Sequence, residues 1–239
     1  STSASRPTGS ALSTVTSTSG STSSTRAGRT SSSDPSTSAD TTPTTGSPSS
    51  GAISDEEAST VVWPFPERDL RYDDPVAAAR GFAVDLVGFD DPVVGEFREG
   101  DQRSGEVEVR ALAPGAITTV IVRRLSDDHW WVLGAATPEI ELDDPIPGTA
   151  IDDPLVLNGR ARAFEGTVNV AVYSRAGTTP LGTGFVTGSG GPELGPFSGQ
   201  IRWPNPGGGW GVVALYTTNA DDGGIWQAMA IPVGFIGAD

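Results

Sequence analysis

Two tryptophans bound one loop. The run Trp203-Pro204-Asn205-Pro206-Gly207-Gly208-Gly209-Trp210 joins two strand-like segments, and Tyr216 follows in the second. Flat aromatic rings left exposed at a strand end stack on sugar rings, which makes Trp203, Trp210 and Tyr216 candidates for glycan recognition. Core packing of at least one tryptophan is the competing role. Glu165 is the fourth candidate. It lies where one strand-like run gives way to the next, so its carboxylate either accepts backbone N–H bonds there or meets a ligand.

The remaining chemistry-bearing residues are scattered. Asp-Asp-Pro occurs at Asp73-Asp74-Pro75, Asp90-Asp91-Pro92, Asp143-Asp144-Pro145 and Asp152-Asp153-Pro154. Calcium favours such oxygen-rich stretches, but the alternating Asp-x-Asp-x-Asp-Gly loop is missing. Asp before Pro starts turns and stops the preceding element, so these copies read as element boundaries. His129 is the one histidine, without a second for zinc, and reads as a turn residue beside a strand. Gly188-Ser189-Gly190-Gly191 lacks the flanks of a nucleophile elbow, and Gly207-Gly208-Gly209 lacks the Lys and helix of a phosphate loop. Paired carboxylates could cleave glycosides, but the acids cluster at turns, where solvent leaves them ordinary. These residues point to binding. No catalytic residue, metal site or cofactor is expected.

Formal net charge is −15, and every basic residue is Arg. Residues 1–58 hold three Arg and five acids, or −2, leaving −13 on the rest. Such a surface repels phosphate backbones and anionic lipid headgroups, which argues against nucleic acid and against direct membrane binding. There is no Cys, so burial alone must hold the fold. No run approaches the roughly 18 apolar residues of a membrane span.

Three segments follow from composition. Residues 1–58 are dominated by Ser and Thr, with too few bulky apolar residues to offset the entropy of ordering, and read as a disordered stalk. At ~3.3 Å per residue this stalk reaches well over ~100 Å when stretched. Such stalks are commonest in exported proteins, and a lipid-anchored Cys upstream of Ser1 would fit one. Residues 59–142 read as a small α+β domain, one helix on an antiparallel sheet. Asp74 caps the helix, Pro75 takes its first position, and Val76, Ala79, Phe82, Ala83 and Leu86 form its apolar face up to Gly88. Strands are expected at 93–97, 106–110, 118–124 and 130–134, with Trp130 and Trp131 on opposite faces. Residues 143–239 read as an all-β sandwich, with strands at 155–162, 167–174, 181–187, 197–203, 211–217 and 225–233. Each strand is expected to bury one face, with Phe164, Phe185, Phe197 and Trp226 filling the core.

Pro154-Leu155-Val156-Leu157-Asn158-Gly159-Arg160-Ala161, followed by Ala163-Phe164-Glu165-Gly166, resembles the opening of the immunoglobulin-like domain of bacterial spore germination. Gly195-Pro196-Phe197 and Asp222-Gly223 occupy later places in the same pattern, and the likeness covers about residues 145–235. That resemblance makes residues 143–239 an all-β immunoglobulin-like sandwich, and implies an extracytoplasmic, non-enzymatic module, often within bacterial lipoproteins. Residues 59–142 do not match the domain that often accompanies it. The Arg-only basic set points to a GC-rich genome of actinobacterial type. The expectation is a stalked binding or structural module of the bacterial envelope, its partner a cell-wall glycan or another envelope protein.

Overall fold

The computed structural model describes residues 52–237. The expected stalk lies outside them as far as residue 51, but its last residues are folded. Ser54 caps helix α1 (Asp55–Ser59) in a capping box: its hydroxyl accepts from the Glu57 N–H, and the Glu57 carboxylate accepts from the Ser54 N–H at 3.1 Å. The same carboxylate accepts from the Ser126 N–H at 3.0 Å and from the Ser126 hydroxyl, which ties α1 to a distant turn. Burial works to raise the Glu57 pKa, but the bonds from Ser126 and Ser54 outweigh it and hold the carboxyl below its usual range.

Helix α2 (Pro75–Gly81) begins as expected, with the Asp74 carboxylate accepting from the Ala77 N–H at 2.8 Å. It runs on as a π-helical turn over Phe82–Val87 and stops at Gly88, whose φ of 96° is the left-handed cap that glycine adopts without a Cβ clash. Ala79, Phe82, Ala83 and Leu86 are buried, as the helical spacing requires.

Twelve strands follow among the described residues: β1 (Val93–Asp101), β2 (Ser104–Arg110), β3 (Thr118–Arg124), β4 (Trp130–Ala136), β5 (Ile140–Asp144), β6 (Ala150–Ile151), β7 (Leu155–Ala161), β8 (Thr167–Ser174), β9 (Gly182–Thr187), β10 (Gly195–Ile201), β11 (Trp210–Thr218) and β12 (Ile225–Phe235). Nine of them form one sheet in the order β1-β2-β3-β4-β12-β11-β8-β9, with β6 pairing parallel to the end of β12. A second sheet, β10-β7-β5, packs on part of the first.

The expected separation at residue 142/143 is therefore bridged. β4 pairs with β12 at Ala135 and Ala230, and the Thr118 hydroxyl accepts from the Ala228 N–H at 2.9 Å where the ladder is short. β5, which the sequence reading leaves at the end of the middle segment, is an outer strand of the smaller sheet. Its alternating Ile140-Glu141-Leu142 carries the strand signal, but the Asp-Asp-Pro that ends it reads as a boundary.

Two cores meet across the large sheet. On one face α2, the π-turn, Val62, Trp63 and Phe65 pack on β2–β4 and reach Ala171, Tyr173, Val212, Ala214, Ala228 and Ala230. A row of small side chains, Ala171–Ala214–Ala230–Ala135, crosses β8, β11, β12 and β4 on this face. On the other face Val213, Leu215, Met229, Ile231 and Val233 meet Leu155, Leu157, Phe197 and Ile201 of the smaller sheet. So β11 and β12 are buried on both sides, not on one as expected, and their near-continuous apolar runs follow from that. Phe197 is a core residue as expected. Phe164 and Phe185 are not: they are 63% and 65% exposed. Trp226 is half-buried and belongs to none of the core clusters.

Candidate functional site

The four candidate residues do not converge. Trp203 is 3% exposed; its indole N–H donates to the Asp152 carbonyl at 3.0 Å and its ring lies 4.8 Å from that of Phe235. That is core packing, and it removes Trp203 from any stacking surface. Trp210 keeps an open face at 39% exposure, with the Arg175 guanidinium 5.8 Å from its ring centre. Tyr216 is half-buried against the helix-side core, in register with Asn169 and, beyond it, Phe185. Glu165 lies at the opposite end of the sandwich from the tryptophans: β11 alone, from Trp210 to Thr218, spans about 27 Å.

Arg175, a residue that the sequence reading did not single out, shows what the tryptophan end does. It is 5% exposed and donates to the Ala58 and Val61 carbonyls, clamping α1 and the following segment to the end of β8. Burial pulls its pKa down, with Glu67 opposing. Nearby Tyr173 is buried, and that burial, reinforced by Tyr216, pushes its pKa up to about 12. These contacts hold the fold together.

At the other end the loops enclose a cleft of about 340 Å³, lined by residues 139, 162–164, 190–191, 217–220 and 226–227. Its floor is a polar chain. Glu139 takes an ion pair from Arg162 on one oxygen and the Gln227 amide N–H at 2.8 Å on the other, and the Gln227 carbonyl accepts from the buried Thr137 hydroxyl. Gln227 is fully buried, so this chain satisfies a polar group that would otherwise cost stability. Thr217, paired with Gln227 across the hairpin, lines the same cleft; it is 2% exposed and its hydroxyl has no partner. Phe164 stands at the mouth with its ring open.

The wall beside Phe164 is the turn Phe164–Gly166. Glu165 adopts φ 53° and Gly166 φ 73°; the Glu165 conformation is strained for any residue with a Cβ. The turn is fastened to the 188–191 loop by the Gly188 N–H to the Gly166 carbonyl at 2.8 Å and the Ala163 N–H to the Ser189 carbonyl at 3.0 Å. Glu165 itself is exposed and flanks the cleft. Of the four candidates it alone adjoins this site. The Phe-Glu-Gly motif was the one short-range signal for it; Glu139, Arg162, Thr217 and Gln227 come together only through strand pairing.

His129 lies within 3.5 Å of both Asp73 and the buried Asp127, whose other oxygen accepts from the Trp131 indole at 3.0 Å. Arg71 stacks over that indole at 4.7 Å and reaches Asp127 at 3.5 Å. The cluster organises the turn before β4. All four Asp-Asp-Pro copies lie at element boundaries, one as the α2 cap and one holding the Trp203 N–H through Asp153 at 3.1 Å. Among the described residues no three His, Asp or Glu side chains gather as a metal site would need.

No curated protein and no solved structure matches the chain. Among the described residues no helix is long and apolar enough to cross a membrane. Residues 139–224, just over a third of the chain and beginning one residue before β5, nevertheless match the immunoglobulin-like domain of bacterial spore germination.

Proposed function

We propose that the chain is a non-catalytic binding module presented outside the cytoplasm of a bacterial cell, tethered by its Ser/Thr-rich N-terminal segment, and that it binds through the cleft at the Phe164 end of the sandwich. The observation that carries this reading is the Thr217 hydroxyl, buried without a partner in the wall of an open cleft. A buried hydroxyl of that kind costs stability, and a ligand that bonds to it recovers the loss. The charged groups of the cleft are already matched: Glu139 is engaged by Arg162 and Gln227, so no carboxylate there is poised as a base. The family match supports an extracytoplasmic setting. A platform built on Trp203 is not part of the proposal, because that ring is enclosed.

The test is hydrogen exchange of the full chain with and without isolated envelope material from its source organism. Protection should appear at 162–166, 188–191 and 217–220. Absence of association, or protection confined to the Trp210 end, would refute the cleft as the binding site.

A further inference from the structure

We infer that the cleft takes a neutral, polyhydroxylated ring, the terminal unit of an oligosaccharide; this rests on the reading that the cleft is the binding site. Charge narrows the ligand first. Glu139 and Arg162, its two charged linings, neutralise each other, so a charged ligand would have to break an ion pair to gain one. The −15 of the whole chain further disfavours anions.

The polar lining is otherwise neutral and can both donate and accept. Thr217 offers a hydroxyl with both capacities. Gln227 is fully buried and spends its amide on Glu139 and Thr137, so it fixes the floor without reaching a ligand. Asn219 accepts the Asp221 N–H on its carbonyl oxygen at 3.2 Å, which leaves an amide nitrogen to donate. Ring hydroxyls, which also donate and accept, are the chemistry that such a set satisfies. Phe164 supplies the complementary element, an exposed flat ring beside a polar floor, where the C–H face of a sugar can stack. At about 340 Å³ the cleft is near the lower end of the roughly 300–1,000 Å³ usual for ligand pockets, which fits the end of a chain better than its length. An extended peptide is a poorer match, because it would seek the unpaired edge of a strand and not a loop-bound cleft.

The experiment titrates the full chain with four probes followed by amide NMR: tetra-N-acetylchitotetraose, laminaritetraose, maltotetraose and, as an anionic control, tetragalacturonate. At least one neutral probe should shift the amides of Gly190, Thr217 and Asn219. Its affinity should fall about tenfold in Thr217→Val, the scale of one lost hydrogen bond, while thermal stability does not fall. Phe164→Ala should weaken the same probe, and Phe185→Ala should not. The inference is overturned if no neutral probe shifts these amides at millimolar concentration, if only tetragalacturonate does, or if neither cleft variant weakens binding. Silence toward every sugar, together with envelope protection at the cleft that Phe164→Ala abolishes, would overturn the saccharide and leave the cleft standing. Envelope binding untouched by both cleft variants would overturn both.

Discussion

The two ends of the sandwich use aromatic residues in opposite ways. At one end Trp203 is enclosed, its N–H satisfied by Asp152 and its ring against Phe235, while Arg175 spans Trp210 and the Ala58–Val61 segment. At the other end Phe164 is left open above Glu139, Thr217 and Gln227, which belong to distant parts of the chain. Trp203 and Trp210 brace the fold, whereas Phe164, with the half-buried Trp226, borders the cleft. A tryptophan flanking a loop is therefore a poor guide to a site unless its polar atom is known to lack an internal partner, since the N–H that suits a ligand suits a neighbouring carbonyl equally well.

The largest expected difference between the ends is in stability. Trp203→Ala should cost about 3–5 kcal/mol in denaturant unfolding, as buried aromatics do, whereas Phe164→Ala should stay within about 0.5 kcal/mol. Equal losses would erase the contrast. Next comes the floor of the cleft. Gln227→Ala strands the Thr137 hydroxyl and one Glu139 oxygen, and should cost about 2–4 kcal/mol; a loss below that of Phe164→Ala would show that the polar chain is not structural.

The alkaline response sharpens the comparison further. Tyr173 belongs to the tryptophan end, and its folded pKa of about 12 lies above the unfolded 10.0. A raised pKa means that the folded state holds the proton longer. The contribution is complete below pH 10 and disappears as pH rises through 12. The swing should be roughly 2–3 kcal/mol, and Tyr173→Phe should remove it; a profile unchanged in that variant would reassign the effect. Smallest is the strained turn. Glu165→Gly relieves a positive φ and should raise stability by about 1 kcal/mol or less. A clear loss would mean that the carboxylate makes a contact worth more than the strain.

Legibility followed the range of the interaction. The Asp74 cap, the Pro75 start and the Gly88 stop of the helical segment are local, and the structure has each. Ten of the strands were also visible, because a strand at the surface of a core alternates every second residue. β5 was hidden behind its Asp-Asp-Pro, and two-residue β6 carries no pattern of its own. Residue type alone puts Phe164, Phe185 and Trp226 in the core, because aromatics usually lie there, but apolarity does not state which face of a sheet is covered. The union of the two halves was invisible, since one pairing at Ala135–Ala230 and one Thr118 hydroxyl leave no periodic trace.

Sequence by itself determined the elements, the acidic surface, the Ser/Thr-rich composition of the N-terminal segment and the family likeness of the sandwich, because each depends on residue type or on near neighbours. Tertiary structure alone decided that β11 and β12 are buried on both faces, that Trp203 is interior, and that Glu139, Arg162, Thr217 and Gln227 share one cleft. Those outcomes depend on which strands pair and on what covers each face. Strand register brings together residues nearly ninety positions apart, and no local pattern encodes that distance.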